Sequence, residues 1–476
     1  MYSRRKRFFP SLRSPKKLEQ EKLEQEIFEQ SGYEVVIVGG GLAGLYSAYR
    51  ILQANPDTRL LIVEKRADLG GRVFTYRDDT MTVEAGAGRF SREHTRLWKL
   101  LRELGLASKA VPIPGGFTYV DSSTGNEAPG PEKDVAEVVK AGKSETLSYL
   151  RSVSFLDFAK RVIGASRAQH IVDSFGYYSE LVVMNAHDAM VLMDVLDNPA
   201  FFSLQGGLSL IITELEQRIR AFPNATIWTD TLVKRFEIFR TSKCGDSRES
   251  RRKIALPTLN RGSIRRGRKI GRRGRRGCRY SLAMADGRRV SAERCIFAVP
   301  KQALESLSAF RPVRPLLNQI ACGSLCRIYS QFPSFPSEEI LYAKKRTINN
   351  DLRMMIPIDS KSGVVMISYT DNRFADAWHA MEQQSVESVD TQIARLVNET
   401  LSIRLPKPLK TKVFYWPCGV GYWKVGANSL AVSRRIVRPF PGHAIYVCGE
   451  HYSEKYQQWM EGALETSDTV IRNFRS

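Results

Sequence analysis

The chain has 476 residues, long enough for two or three domains, and its 43% apolar and 10% aromatic content describes a globular protein and excludes a disordered one. No apolar run approaches the roughly 20 residues of a membrane span, and the basic start MYSRRKRFFPSLRSPKK lacks the apolar stretch of a secretory signal. The net charge of +22 is concentrated, with +7 in residues 1–17 and +14 in residues 240–279, so the remaining body is nearly neutral.

Residues 1–32 read as a basic and then polar leader, either solvated or a docking arm. RRKR at Arg4–Arg7 fits a nuclear signal or plain basic surface. Val35 to Val38 are four β-branched residues, the composition of a fully buried strand. Gly39, Gly41 and Gly44 follow as G-x-G-x-x-G and open a helix. Gly39 permits the tight turn, Gly41 lets backbone approach a pyrophosphate, and Gly44 lets helix pack on strand. The free N–H groups at Leu42 and Ala43 and the positive helix end suit that pyrophosphate. A second strand, LLIV, ends in Glu64 and Lys65, at the offset of a carboxylate for the ribose hydroxyls.

Gly70, Gly71 and Arg72 form a second glycine turn with a cation, and Gly86, Ala87 and Gly88 form a third close-approach point. Leu97, Leu100, Leu101 and Leu104 are the core face of the next helix. Residues 107–145 read as loop, punctuated by GG, PG and GP. Leu147 to Leu196 is helical and apolar-rich. QGGLSLI returns to a glycine turn and helix, TLVKRFEIF is a strand, and Asp286-Gly287 turns a hairpin that ends in CIFAVP. The basic tract 240–279 thus interrupts the connection of two paired strands, where an insertion costs little. Residues 302–434 hold short strands (LCRIYSQF, MMIPI, GVVMISYT, KVFYW) and one helix from Ala375 to Leu401. The end is strand, loop and helix, with the Gly449-Glu450 turn expected to bring another helix N-terminus to the bound dinucleotide and His451 read as exposed on its loop. Seven scattered cysteines with no C-x-x-C pair argue against a disulfide framework or zinc site and for an intracellular, reducing compartment, cytoplasmic or nuclear.

In chain order GGGLAGL, VEK, LGGRV, GAGRF, QGGLSLI, CIFAVP and CGEHYSEKYQQWMEGALETSDTV resemble the flavin amine oxidase superfamily over residues 33–474. The resemblance implies an α/β fold: a Rossmann-like FAD-binding domain in three parts (33–106, 205–301, 435–476), a helical substrate subdomain (107–204), and a substrate domain of mixed sheet (302–434). It implies FAD, held by the glycine turns with Val233 and Met460 nearby. The FAD is expected to be non-covalent, because Gly421 precedes Tyr422 where covalent members have cysteine, although Cys418 lies close. The implied reaction is oxidation of a C–N bond by hydride transfer to flavin N5, with O2 reduced to H2O2.

GAGRFSREH resembles the L-amino-acid oxidase pattern, which maps a carboxylate-clamping arginine onto Arg89. The alternative for Arg89 is a structural cation near the FAD phosphate. Tyr369 would help hold the carboxylate, or be an ordinary strand aromatic. Trp459 and Tyr422 would wall the flavin. Arg327 stands where many members have a lysine that holds a water at N5, and its fixed fork is not equivalent. Two alternatives stay open: a polyamine or monoamine substrate, and a catalytically lapsed FAD protein with a nucleic-acid-associated role. The Arg-Gly run Ile264–Arg279, with residues 1–17, suits a polyanion, nucleic acid foremost.

Overall fold

The computed structural model describes residues 32–113, 115–196, 200–240, 278–336 and 338–475. The leader and most of the basic tract lie outside the described residues.

The strand Gly32–Val38 sits inside a seven-stranded sheet. It pairs in parallel with Leu60–Val63 on one side and Arg289–Phe297 on the other, in the registers Ile37↔Ile62 and Val38↔Phe297. Ala225–Trp228 extends the sheet beyond Leu60–Val63, and Ile445–Val447 pairs in parallel with Arg289–Phe297. Val35, Val36 and Ile37 are 0% exposed, because helices or loops cover both faces. Helices Leu42–Ala54, Ser209–Arg220 and Met460–Arg475 share one hydrophobic cluster with one face of this sheet. Leu97, Leu100 and Leu101 of the helix Thr95–Glu103 join that cluster, as their spacing predicts.

The hairpin at Asp286-Gly287 forms as expected, joining Cys278–Met284 to Arg289–Phe297, with Gly287 at φ +93°. Val233–Arg240 pairs with Cys278–Met284, so the basic tract does leave and re-enter a pair of adjacent strands. Its ends at Arg240 and Cys278 are themselves a paired register position, which narrows the insertion to 241–277.

A second seven-stranded sheet runs Lys410–Trp423, Ile320–Gln331, Val364–Asp371, Met354–Asp359, Lys345–Ile348, Phe117–Asp121 and Asn126–Ala128. Its last two strands correct the reading of 107–145 as loop, as does the helix Glu132–Gly142. The GG and PG punctuation marks only the turns, and Phe117–Asp121 gains its strand partner, Lys345–Ile348, from more than 200 residues away. A second correction concerns the helix after Ala375. It is two helices, Asn372–Glu382 and Val386–Leu401, because Ser385 adopts an extended backbone and accepts the Ser388 N–H as an N-cap. A cluster of short helices, Leu147–Ser152 to Ala186–Leu196, packs against Val420, Tyr422 and Trp459.

A third correction concerns the cysteines. Cys322 and Cys418 form a disulfide across 96 residues of sequence, between the paired strands Ile320–Gln331 and Lys410–Trp423. Spacing alone hides it, since strand pairing brings the two thiols together. The compartment expectation loses that support. No helix among the described residues is long and apolar enough to cross a membrane.

Candidate active site

At the end of the first strand Gly39 turns with φ +106°, and a Cβ there would meet Ala298 O at 2.4 Å. A Cβ on Gly44 would meet Gly39 O at 2.0 Å, so this glycine lets the helix Leu42–Ala54 lie against the turn. Gly41 differs from both. Its Cβ would find only Gly70 O, at 3.7 Å, and it caps the helix without a side-chain hydrogen bond. Among the described residues no side chain caps the first N–H groups of the helix, and no side chain stands at Gly41 beside them, the arrangement that receives a phosphate. Glu64, 7% exposed, accepts the Gly40 N–H at 2.7 Å and the Arg66 N–H at 3.0 Å, which fixes its carboxylate at the strand end.

These turns open into one continuous cavity of about 910 Å³ that runs from the first sheet to the second. It is lined by Gly39, Gly41, Leu42, Ala43, Glu64, Lys65, Gly71, Arg72, Gly86, Ala87, Gly88, Val233, Gly449, Glu450 and Met460, and further along by Arg89, Arg327, Tyr369, Tyr422 and Trp459. Of the residues expected from sequence, Gly44 alone does not line it, and its role is packing. The cavity's size, the helix end without a side-chain cap and the side-chain-free contact of Gly41 with Gly70, which pair as a parallel β-bridge, fit a dinucleotide.

Arg72, the cation of the second glycine turn, is paired within the protein. Its guanidinium pairs with Glu450 and donates to Gly419 O at 2.9 Å, tying the second glycine turn to the Gly449-Glu450 turn. Burial alone would push the Glu450 carboxyl up. The charges of His451 (when protonated) and Arg72, with the His451 and Gln458 hydrogen bonds, outweigh burial and hold it near about 2. His451 is fully buried, which corrects its reading as exposed. Its Nδ1 accepts the Lys301 N–H at 3.3 Å, its Nε2 lies 3.0 Å from Glu450, and burial pushes its pKa down. The joined sulphurs of Cys322 and Cys418 lie with His451 Nε2 within 4.8 Å of one another, so Cys418 is bonded to protein.

At the other end aromatic side chains line the cavity. Trp459 stacks on Phe201 at 5.9 Å with planes 5° apart, and its buried indole N–H has no partner among the described residues. Tyr422, 1% exposed, occupies space that a side chain at Gly323 would fill, since a Cβ there would meet the ring at 2.2 Å. Arg89 lies 4.5 Å from the Phe201 ring and 5.8 Å from Trp459, and donates to the Tyr177 hydroxyl at 3.3 Å. Among the described residues no carboxylate is paired with it. Arg327 donates to Glu84 O at 2.7 Å and lies 4.5 Å over Tyr369. The fixed fork is thus anchored to backbone at the third glycine turn, where Gly88 leaves it room.

Sequence reasoning missed Tyr177, Glu180 and Lys345, all of which line this end. Tyr177 and Glu180 lie in FGYYSELVVM, whose apolar character hides a four-residue helix and a polar corner. His94, against Trp459 at 4.9 Å, was also missed; burial drops its pKa to about 4.

A sequence profile of flavin-containing amine oxidoreductases matches residues 42–470. Uncharacterized protein R188 of Acanthamoeba polyphaga mimivirus is 20% identical over 92% of this chain and 93% of its own. The L-amino-acid oxidase of Mus musculus is 38% identical over 96 residues, which are 20% of this chain and 14% of that protein. Putrescine oxidase with putrescine bound superposes with a TM-score of 0.68 at 15% identity, covering 94% of this chain and 99% of the other.

Proposed function

The chain belongs to the flavin-containing amine oxidoreductases, with FAD as cofactor, and from that premise we propose that it oxidises L-amino acids to imino acids, with O2 reduced to H2O2. One observation carries the reading. Arg89 is a cation in the cavity with no carboxylate paired to it among the described residues, set over Phe201 and near Trp459. A guanidinium there binds a carboxylate bidentately, whereas an amine without one leaves it unpaired and binds weakly.

Bound FAD supplies the hydride acceptor at N5. The glycine turns and the N-terminus of the helix Leu42–Ala54 hold its pyrophosphate, and Glu64 holds ribose hydroxyls. Arg89, with Tyr177 bonded to it and Tyr369 against Tyr177, holds the substrate carboxylate. Tyr422 and Trp459 wall the amine carbon and exclude water, which fixes the direction of its α-hydrogen. Arg327 places positive charge beside the third glycine turn, where it favours reduction of O2.

The test is anaerobic bleaching of the flavin by L-amino acids and by polyamines, followed by admission of air. The expected result is bleaching by amino acids and recovery with peroxide. Arg89→Met raises the amino-acid Kd by about 100-fold, roughly 3 kcal/mol. Bleaching by polyamines alone would overturn the carboxylate reading. That second reading has one observation in its favour, the acidic Glu180 in the same cavity.

A further inference from the structure

Glu180 is 2% exposed, lines the cavity that also holds Arg89, Tyr422 and Trp459, and its Oε2 has no hydrogen-bond partner among the described residues. An unpaired buried carboxylate oxygen is costly and needs a reason, of which a catalytic role is one. The charged and titratable groups that act on it are Asp371 from the strand Val364–Asp371, Arg89 from the third glycine turn, Tyr422 from Lys410–Trp423, and Tyr177. Asp371 is already engaged: it accepts the Tyr178 N–H at 2.8 Å and the Ser179 N–H at 2.6 Å. Burial raises both tyrosine phenols, so they stay neutral. Among the groups acting on Glu180, Arg89 is the only cation, and it is assigned to the substrate carboxylate.

We infer that Glu180 is the base that takes the proton of the substrate ammonium, a catalytic role resting on the amine-oxidation reading above. An ammonium nitrogen has no lone pair to support loss of the α-hydrogen as hydride. One N–H bond must break first. Its electron pair stays on nitrogen, its proton forms an O–H bond on the Glu180 carboxylate, and no electrons leave the substrate in this step. The neutral amine then yields its α-hydrogen with two electrons and becomes an iminium.

Burial, with the charge of Asp371 adding to it, pushes the Glu180 carboxyl well above the ordinary range, which gives it the basicity the step needs. The sign follows from that direction. Below its raised pKa Glu180 holds a proton and cannot accept another, so the competent form appears as pH rises through that pKa.

The experiment uses the FAD-loaded full chain. Anaerobic flavin reduction by an L-amino acid is followed from mildly acidic to alkaline pH in wild type, Glu180→Gln and Glu180→Asp. In parallel, calorimetry with α-aminoisobutyrate, which has ammonium and carboxylate but no α-hydrogen, is run in two buffers of different ionisation enthalpy to count protons released on binding. Wild type is expected to show a rate that rises through one ionisation, and release of one proton on binding below it. Glu180→Gln should lose both and reduce flavin about 100-fold more slowly near neutrality, while Glu180→Asp keeps a rising limb. A Glu180→Gln limb like that of wild type, or an equal loss at every pH, overturns the assignment of Glu180 alone. If Glu180→Gln fails to bind FAD, wild-type calorimetry decides, and absence of proton release overturns the assignment. Wild-type protein that no amino acid or amine reduces overturns the proposed function together with this role.

Discussion

At the scale of single residues the Arg72–Glu450–His451 cluster shows how one contact serves several turns at once. Glu450 is 7% exposed, and its partners hold the carboxyl near about 2 against an ordinary value of 4.5. A depressed folded pKa means the stabilisation is present above about 4.5 and is lost as pH falls through that window toward 2. Urea unfolding is therefore expected to show wild type more stable than Glu450→Gln near neutrality, with the gap closing as pH falls below 4.5. A gap that stays constant with pH would show that the pair adds nothing. Arg72→Met leaves the Glu450 charge buried without its cation and should cost about 3 kcal/mol.

At the scale of the element, the strand–turn–helix unit separates packing from binding within one motif. Gly44→Ala places a Cβ 2.0 Å from Gly39 O, which only movement of helix from strand relieves. Gly41→Ala places one 3.7 Å from its nearest neighbour, so the fold accepts it. The expected outcome is a lower Tm for Gly44→Ala with or without FAD, and for Gly41→Ala an unchanged Tm of FAD-free protein with an FAD Kd raised tenfold or more. Thermal unfolding and flavin-fluorescence titration read the two apart. The helix pair after Asp371 makes the complementary point. Its helical character was legible, while the break at Ser385 depended on a cap that competes with helix continuation.

At the scale of the whole molecule, the nearly neutral body and its basic segments are separable in design. Arg240 and Cys278 face each other across paired strands. A two-residue Asn-Gly turn suits that geometry, and replacing 241–277 with such a short connection should leave Tm and FAD content unchanged. The replacement removes fourteen basic and two acidic residues, so the net charge of +22 falls by twelve. Elution from a heparin column should then move to clearly lower salt, with a smaller salt slope. Loss of FAD in the shortened chain would show instead that the tract supports the cofactor domain.

The sequence by itself determined the first sheet's central strands and the glycine turns. Each of these is local: β-branched runs bury, glycine permits positive φ and close approach, and a helix start exposes N–H groups over a few neighbouring residues. Tertiary structure alone decided the rest. The Cys322–Cys418 bond, the burial of His451, the strand Phe117–Asp121 and the placement of Tyr177 and Glu180 all depend on partners far along the chain. Pairing and desolvation at long separation leave no periodic trace in sequence. Such side chains acquire their chemistry only when the second sheet and the short helices close over the cofactor turns.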